Sequence, residues 1–570
     1  MGQNAPIAET PRQHWLHPLP ATGQRAVLGW WMVEGPPPTT APQEIRQALE
    51  DTARPLFLVE TEYGPALARG GAGVWGNGSP VPNALPIIGV VPACSPQQLG
   101  DASFRADHGL RFSYVAGAMA NGIGSAEIVE AMSNAGMLGF FGAAGLPPAR
   151  VEAAIDRITR NLGQQPFGFN LIHSPNEPRL EAAIVDLYLR RGIRLVEASA
   201  YLDLTLPLIR YRLHGIHRDP AGKIVAPNRV IAKVSRVEVA RKFLAPPAAR
   251  FVQQLVQQGE LTTEQAQLAR HIPVAQDLTA EADSGGHTDN RPAIALLPTM
   301  IALRDRLQAE FGYEQPLRIG AAGGIATPAS VAATLAMGAA YVVGGSIHQA
   351  CVESGTSDLV RRMLAEAEQA DVIMAPAADM FEMGVKVQVL KRGTMFAMRA
   401  AKLYELYRAY PSLEALPATD KTQLEKTYFR AAIEEIWQQT QAFFRERDPG
   451  QIAKAANDPK HKMALVFRWY LGQSSRWANM GDASRQVDFQ VWCGPAMGAF
   501  NEWVKGSFLE KPEQRNIVTV ALNLMYGAAL ATRWHALRCQ GIQVPSEWQR
   551  IAPLERNQLE ERLSIHRSRA

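Results

Sequence analysis

The stretch LRIGAAGGIATPASVAATLAMGAAYVVGGS, residues 317–346, holds one complete architectural unit. An apolar run closes on Gly323 and Gly324, Thr327 and Pro328 supply the cap and first-turn signals of a helix, and a second apolar run closes on Gly344, Gly345 and Ser346. A strand, a crossover helix and a parallel strand are the simplest reading of that order. Upstream the same texture recurs, in FSYVAGAMA (112–120), MLGFFGAA (137–144), FGFNLI (167–172), LVEASA (195–200), VIAKVS (230–235) and VAQDLTAEA (274–282). Helix-length amphipathic stretches separate the runs. In SAEIVEAMSNAG (125–136), for example, Ser125 caps while Ile128, Met132 and Ala135 share a face. Eight such runs predict an α/β chain built on a (β/α)8 TIM barrel of about 250 residues. One interval is too long for a plain crossover: APPAARFVQQLVQQGELTTEQAQLARH (245–271) reads as a helical hairpin inserted after the fifth strand.

Outside the barrel the texture differs on each side. From RAVLGWWMV (25–33) to about residue 100, short apolar runs alternate with turn clusters such as GPPPTTAP (35–42) and GNGSPVPN (76–83), which predicts a small β-rich domain over residues 1–100. The barrel is expected over 101–350. Beyond it, aromatic-rich stretches such as TMFAMRAAKLYELYRAY (394–410) and KTYFRAAIEEIWQQTQAFFRER (426–447) predict a helical region over 351–570, too long to be one barrel helix and placed to act as a lid over a substrate. Its aromatic residues suit either a core or an acyl tunnel.

Composition narrows the function. The chain has 570 residues, 47% hydrophobic and 20% charged, with a net charge of +4, so nucleic acid is not implied as a partner. Four scattered cysteines, Cys94, Cys351, Cys493 and Cys539, form no Cys-x-x-Cys pair and suit a reducing compartment. The N-terminal MGQNAPIAETPRQHW lacks a basic start and an apolar h-region, Pro6 displaces a myristoylation signal, and no window holds eighteen consecutive apolar residues. A cytoplasmic protein that does not engage a membrane is expected. His214 and His217 stand at helical i, i+3 spacing without a carboxylate or cysteine partner, so no metal site is predicted. The GIGSAE turn (122–127) lacks the third glycine and the later acidic residue of a Rossmann fingerprint, and no GxxxxGK[ST] loop is present.

In a barrel the chemistry sits where the strands end. Gly323, Gly324, Gly344, Gly345 and Ser346 close the seventh and eighth strands beside helix starts, where free N–H groups cradle phosphate; tight turns alone are the plainer alternative. EADSGGHTDNRP (281–292) closes the sixth strand. Its Gly285 and Gly286 let backbone lie against a ring or phosphate, and His287 brings a titratable imidazole to the barrel mouth, unless it is simply a loop histidine. Small or soft Ala118, Met119 and Ala120 beside Asn121, with Asn170 in the third strand, match a flat cofactor with the mixed donors and acceptors of a flavin's pyrimidine edge. Asn170 as a strand-end cap is the other option. Lys233, in an otherwise apolar fifth strand, offers a cation to the N1 and O2 side of a reduced flavin, or snorkels to the surface.

These residues carry a family resemblance. The order AMANGIGS, FNLI, EADSGGH, GAAGGI, VVGGS is similar to the flavin-binding barrels of the nitronate monooxygenase (2-nitropropane dioxygenase) superfamily. More closely, GAMANGIGSAEIVEAMSNAGMLGFFGAAG (117–145), EADSGGHTDNRP and ADMFEMGVKVQVLKRGTMFAMRAAKLYELY (378–407) resemble PfaD-like trans-acting enoyl reductases of polyunsaturated fatty acid and polyketide synthases, over about residues 85–545. The resemblance implies FMN at the barrel mouth, NADPH or NADH as reductant, and an enoyl thioester on an acyl carrier protein as substrate. It implies that Ala118, Met119 and Asn121 face the isoalloxazine, that Asn170, Lys233 and Glu281 lie near its polar edge, that Gly285, Gly286, Gly323, Gly324, Gly344, Gly345 and Ser346 hold the ribityl phosphate, and that Ala322 also belongs to the cofactor site. His287 matches the Gly-Gly-His histidine and becomes the candidate proton donor or carbonyl polariser. Asp283 and Ser284 stand where simpler relatives have a shorter Glu-Ala-Gly-Gly-His.

Lys386, Lys391 and Arg392 form a cationic patch that suits an acidic carrier protein or a solvated face. A homodimer is one option for the assembly. Two rival functions use the same barrel: a nitronate or nitroalkane oxidase with His287 as base, and a non-catalytic synthase subunit that retains a flavin. A barrel dehydrogenase acting through a loop cysteine is disfavoured because the sixth-strand loop contains none.

Overall fold

The computed structural model describes residues 27–76, 82–173, 175, 177–542 and 544–564. Residues 1–26 and most of the predicted GNGSPVPN turn lie outside them. The chain divides into two compact units, Met1–Leu99 with Leu522–Ala570, and Gly100–Ala521.

In the first unit, β1 (Gly29–Met32), β2 (Leu56–Thr61), β3 (Gly64–Arg69), β4 (Ala72–Trp75) and β5 (Leu85–Val91) form one antiparallel sheet in the order β3-β2-β5-β1-β4. Trp31, Val59, Ala68 and Ile87 are fully buried along it. The C-terminal residues are bound in by long-range hydrogen bonds. The Gln540 amide both accepts from Val90 N and donates to Val90 O at 2.8 Å, and the buried Arg533 guanidinium donates to the carbonyls of Arg54 (2.9 Å) and Pro92 (3.0 Å). Residues from Leu522 onward therefore group with this sheet, while the sequence predicts one region over 351–570.

The second unit contains the barrel. Strands β6 (Tyr114–Ala116), β7 (Leu138–Phe141), β8 (Gly168–Ile172) and β9 (Leu195–Ser199) come first, then a small hairpin of β10 (His217–Arg218) and β11 (Ile224–Val225). Next are β12 (Arg229–Val234), β13 (Asp277–Glu281), β14 (Gly286–His287), β15 (Arg318–Ala322), β16 (Val342–Gly344), β17 (Val372–Pro376) and β18 (Lys386–Leu390). The closed, parallel order is β12-β13-β15-β16-β6-β7-β8-β9. Each of the eight apolar runs becomes one barrel strand, because a parallel strand covered on both faces is apolar along most of its length. Helices Ala249–Gln257 and Thr263–Leu268 form the predicted insertion after β12. His214 follows the helix Leu206–Leu213 and His217 begins β10, so the two do not share a helical face. Among the described residues no cluster of metal-ligating side chains is found, and no helix is long and apolar enough to cross a membrane.

A cavity of about 470 Å³ opens where the barrel strands begin, lined in part by Arg212, Arg229, Asp277 and Arg318. Its charges are already committed: Arg318 reaches Asp277 at 2.6 Å and Asp107 at 2.7 Å, and His108 reaches Asp277 at 2.8 Å. This end of a barrel serves stability.

The sequence predicts no strands beyond about residue 350, and here the structure differs. β17 and β18 pair with each other and, through β18, with β14, in the order β14-β18-β17. β17 and β18 form a local antiparallel pair, but the strand that ties them to the barrel loop, β14, is only two residues long and lies about a hundred positions upstream of β18, so no local periodicity announces that link.

The helices that follow, chiefly Phe396–Ala409, Ile433–Arg447 and Pro459–Met480, enclose a core that includes Phe381, Leu403, Phe429 and Phe467. Asp488, fully buried, takes a hydrogen bond from Tyr470 (2.6 Å) and ion-pairs with Arg399 and with Arg485 (3.2 Å). Removing one partner of such a group leaves buried cations uncompensated. Asp488→Ala should therefore lower unfolding stability by about 3–5 kcal/mol, read from the denaturant midpoint, with Asp488→Asn losing less because it still accepts from Tyr470.

Candidate active site

β13, β15 and β16 are neighbours in the barrel, with Glu281 paired to Ala322 and Ala322 to Val343, so the three glycine pairs leave adjacent strand ends. Within each pair the two glycines are not equivalent. A Cβ on Gly285 would stand 2.9 Å from Cys493 N, on Gly323 2.7 Å from the Ala282 carbonyl carbon, and on Gly344 2.5 Å from His348 Cε1. Those three are glycine because protein packs against them. At Gly286, Gly324 and Gly345 a Cβ would meet nothing within 4 Å. The second member of every pair thus presents bare backbone to open space. Gly344 is held by a buried pair: Tyr114 Oη lies 2.9 Å from His348 Nε2, and burial lowers the His348 pKa to about 4. Ser346 Oγ accepts from Gly494 N at 3.0 Å. The segment Cys493–Gly494 is therefore in contact with the sixth-strand and eighth-strand loops alike.

A charged group lies among the strand ends. Lys233 Nζ is 3.4 Å from Glu281 Oε1 and 3.9 Å from Glu197 Oε2. Burial disfavours the ammonium, yet Glu281 and Glu197 together outweigh it and hold the Lys233 pKa above its ordinary value. Glu197 is wholly buried; burial raises its pKa, while Lys233 and the Ala118 N–H, which donates to Oε2 at 3.0 Å, oppose the rise. Its Oε1 has no partner. Glu281 also accepts from Ser284 Oγ at 3.1 Å.

The other sequence-predicted residues are placed as follows. Ala118 is half-buried and packs on a cluster that includes Ala322, and the Met119 carbonyl accepts from Gly124 N. Asn121 has left-handed backbone (φ 59°) and directs its amide Nδ2 to Ser475 Oγ, 3.0 Å away on the helix Pro459–Met480. Asn170, buried, donates to Glu197 O (3.1 Å) and Ser199 Oγ (3.2 Å). Asn170, mid-way along β8, and Asn121, in the loop after β6, therefore both fasten neighbouring segments. Lys386 and Lys391 are exposed at either end of β18, whereas Arg392 is paired with Glu368 (3.1 Å) and Asp371.

His287 belongs to β14, where it pairs with Val387 of β18. Its Nε2 stands 3.2 Å from Asp379 Oδ1, a contact of charge rather than an aligned hydrogen bond. Burial works against the imidazolium, but Asp379 first and Glu281 next more than offset it, so the pKa lies above the ordinary histidine value despite the opposing Lys233. Asp379 is correspondingly acidic: burial alone would raise its pKa, and His287 more than reverses that. The loop before β14 is gripped by Gln388, whose Nε2 donates to Asp283 Oδ1 (2.7 Å) and Ser284 O (2.8 Å). Asp283 and Ser284 are thus the residues that anchor it.

A family model described as nitronate monooxygenase matches residues 108–408, just over half the chain, and covers every strand of the barrel together with His287, Asp379 and β18. The chain belongs to the nitronate monooxygenase family. Within that family its relatives place it in the PfaD-like enoyl-reductase branch. It is 48% identical over 456 residues to a polyunsaturated fatty acid synthase subunit from Thraustochytrium sp., a match that takes in 79% of this chain and 30% of that one. It is 45% identical over 435 residues to the polyketide biosynthesis protein PksE of Bacillus subtilis, covering 76% and 56%. The chain thus spans 22–56% of the length of the curated polyunsaturated fatty acid synthase and polyketide relatives it matches. Among solved structures, the enoyl reductase domain of MlnA from Bacillus amyloliquefaciens superposes with a TM-score of 0.73 at 42% identity, over 77% of this chain and 98% of that domain. A second model, the inserted helical domain of [acyl-carrier-protein] S-malonyltransferase, matches residues 410–489 of the nitronate monooxygenase-family chain.

Glu197, Asp379 and Gln388 are absent from the sequence prediction. Glu197 was detectable, because a carboxylate in the apolar run LVEAS is as anomalous as the lysine in VIAKVS. Asp379 and Gln388 act through long-range pairing and carry no local mark.

Proposed function

We propose that the chain is a trans-acting enoyl reductase that binds FMN at the strand ends and reduces the α,β-double bond of acyl-carrier-protein-bound enoyl thioesters with NADPH or NADH, in polyketide or polyunsaturated fatty acid synthesis. The observation that carries the reading is the trio of unshielded glycine backbones on adjacent strand ends, with a lysine cation and a histidine–aspartate pair among the same strand-end residues. These residues fit FMN: Gly286, Gly324 and Gly345 leave room for a phosphate to approach main-chain N–H groups, and Lys233 supplies positive charge for the ring's polar edge. When bound, FMN supplies two-electron chemistry, taking hydride from the nicotinamide and returning it to the substrate.

The protein's own tasks are then few. His287, whose imidazolium Asp379 favours, gives its proton to the α-carbon while the β-carbon receives hydride, so that one C=C becomes C–C and NAD(P)H is oxidised to NAD(P)+. The sheet β14-β18-β17 fixes the imidazole, and the helical region limits water at the reacting carbons. Anaerobic mixing tests the proposal: NADPH should bleach the yellow protein, and crotonyl-thioester should restore the colour with formation of butyryl-thioester. Restoration by a nitroalkane and not by the enoyl thioester would overturn it.

Carrier docking is assigned to the exposed lysines flanking β18, the strand that pairs with the one bearing His287. Lys386→Glu with Lys391→Glu should lower kcat/KM for a carrier-bound enoyl chain about tenfold or more at low salt, and leave a small thioester unaffected. Equal effects on both substrates would remove these residues from docking.

A further inference from the structure

One buried carboxylate has no place in the scheme above. Glu197 sits on β9 inside the barrel, opposite Ile231 of β12 and Asn170 of β8, with no solvent exposure. One oxygen holds the Ala118 N–H at 3.0 Å and lies 3.9 Å from Lys233 Nζ; the other has no hydrogen-bond partner. An unpartnered carboxylate oxygen in the interior carries a desolvation cost that evolution could have avoided with a glutamine or an apolar residue. Lys233 also faces Glu281 at 3.4 Å, so a single ammonium serves two carboxylates. Glu281 alone would neutralise it. Glu197 is a second carboxylate on the same ammonium, and in its ionised form it makes the strand ends more negative than Lys233 and Glu281 alone would leave them.

We propose that Glu197 is a positioning residue for the flavin's electrostatics: it fixes the Ala118–Asn121 loop through the Ala118 N–H and restrains the charge of Lys233, which keeps the bound ring harder to reduce. This rests on the reading that FMN binds at these strand ends. A ring that gains negative charge on reduction competes with Glu197 and Glu281 for the same ammonium. Removing one competitor favours the reduced ring, so the midpoint potential moves up.

The test is spectroelectrochemical, on the full chain with saturating FMN at about pH 8. The wild-type protein is first loaded with FMN and desalted; a protein that elutes without flavin overturns the flavin reading and this proposal with it. Glu197→Gln keeps an oxygen for Ala118 N–H and loses only the charge. Its flavin midpoint potential should rise by the equivalent of about a tenfold change in the affinity ratio of reduced over oxidised flavin, about 30 mV for two electrons. Lys233→Met should move it the opposite way. Glu197→Ala, which loses charge and hydrogen bond together, should also shift upward and bind FMN more weakly than Glu197→Gln. A purely structural glutamate would weaken FMN binding without moving the potential. An unchanged or lowered potential in both Glu197 variants, with flavin bound, overturns the proposal.

Discussion

Replacing Gly345 with valine is expected to empty the protein of flavin while leaving the barrel folded. A Cβ at this position meets no atom within 4 Å, so no packed neighbour is displaced, and the backbone (φ −129°, ψ −86°), outside the main regions a β-branched residue adopts, adds a local cost of about 1–3 kcal/mol that the barrel should absorb. The valine methyls would enter the space through which an anion reaches the main chain at the end of β16. A hydrogen bond to a charged group is worth about 1.5–3 kcal/mol, so losing two weakens FMN binding by on the order of a hundredfold or more. The packed member of a neighbouring pair is the control. Gly323→Val places its Cβ 2.7 Å from the Ala282 carbonyl carbon at a φ of 86°, and should lower the thermal midpoint whether or not flavin is present. Flavin titration and thermal unfolding of the two apo-proteins separate these outcomes. Gly345→Val with wild-type FMN affinity would show that the phosphate is held elsewhere.

The difference between those two glycines marks the limit of what the sequence says. A Gly-Gly at a strand end announces a close approach, but not whether the approaching atoms belong to a ligand or to the protein; that depends on Ala282 for Gly323 and on Cys493 for Gly285, both distant or across a strand. The barrel itself was legible because each of its strands is a continuous apolar run and each crossover helix has its own period, signals that survive in a single sequence. Lys233 and His287 were legible as polar residues where apolar ones or plain turns were expected. The sheet that holds His287 was not, since β14 is two residues long and takes its identity from β18. The helical region was legible as helix, while the attachment of residues beyond Leu522 to the N-terminal sheet rests on single side chains, Gln540 and Arg533, reaching back more than four hundred positions.

The His287–Asp379 pair yields the prediction with the most direct bearing on mechanism. His287→Ala should retain FMN and its bleaching by NADPH, because neither depends on a proton donor to the substrate. Reduction of crotonyl-thioester should slow by about a hundred- to ten-thousand-fold. The pH profile then identifies the protonation state. Burial and Lys233 lower the His287 pKa, Asp379 and Glu281 raise it, and the net effect is upward, so the active imidazolium persists to higher pH than in an ordinary histidine and turnover is lost as pH rises through that elevated pKa. Asp379→Asn removes the strongest raising contact: the alkaline limb of kcat should move to lower pH, and the plateau rate below it should be largely preserved. Lys233→Met should move the same limb to higher pH. Were His287 instead a base that must be neutral, as in a nitronate oxidation, Asp379→Asn would extend activity toward acid and the limb would rise with pH. Asp379→Asn moves the titration to lower pH in either case, so the sense of the limb decides: activity that falls with pH marks an acid that finishes a reduction, and activity that rises marks a base that begins an oxidation, on the same imidazole and the same aspartate.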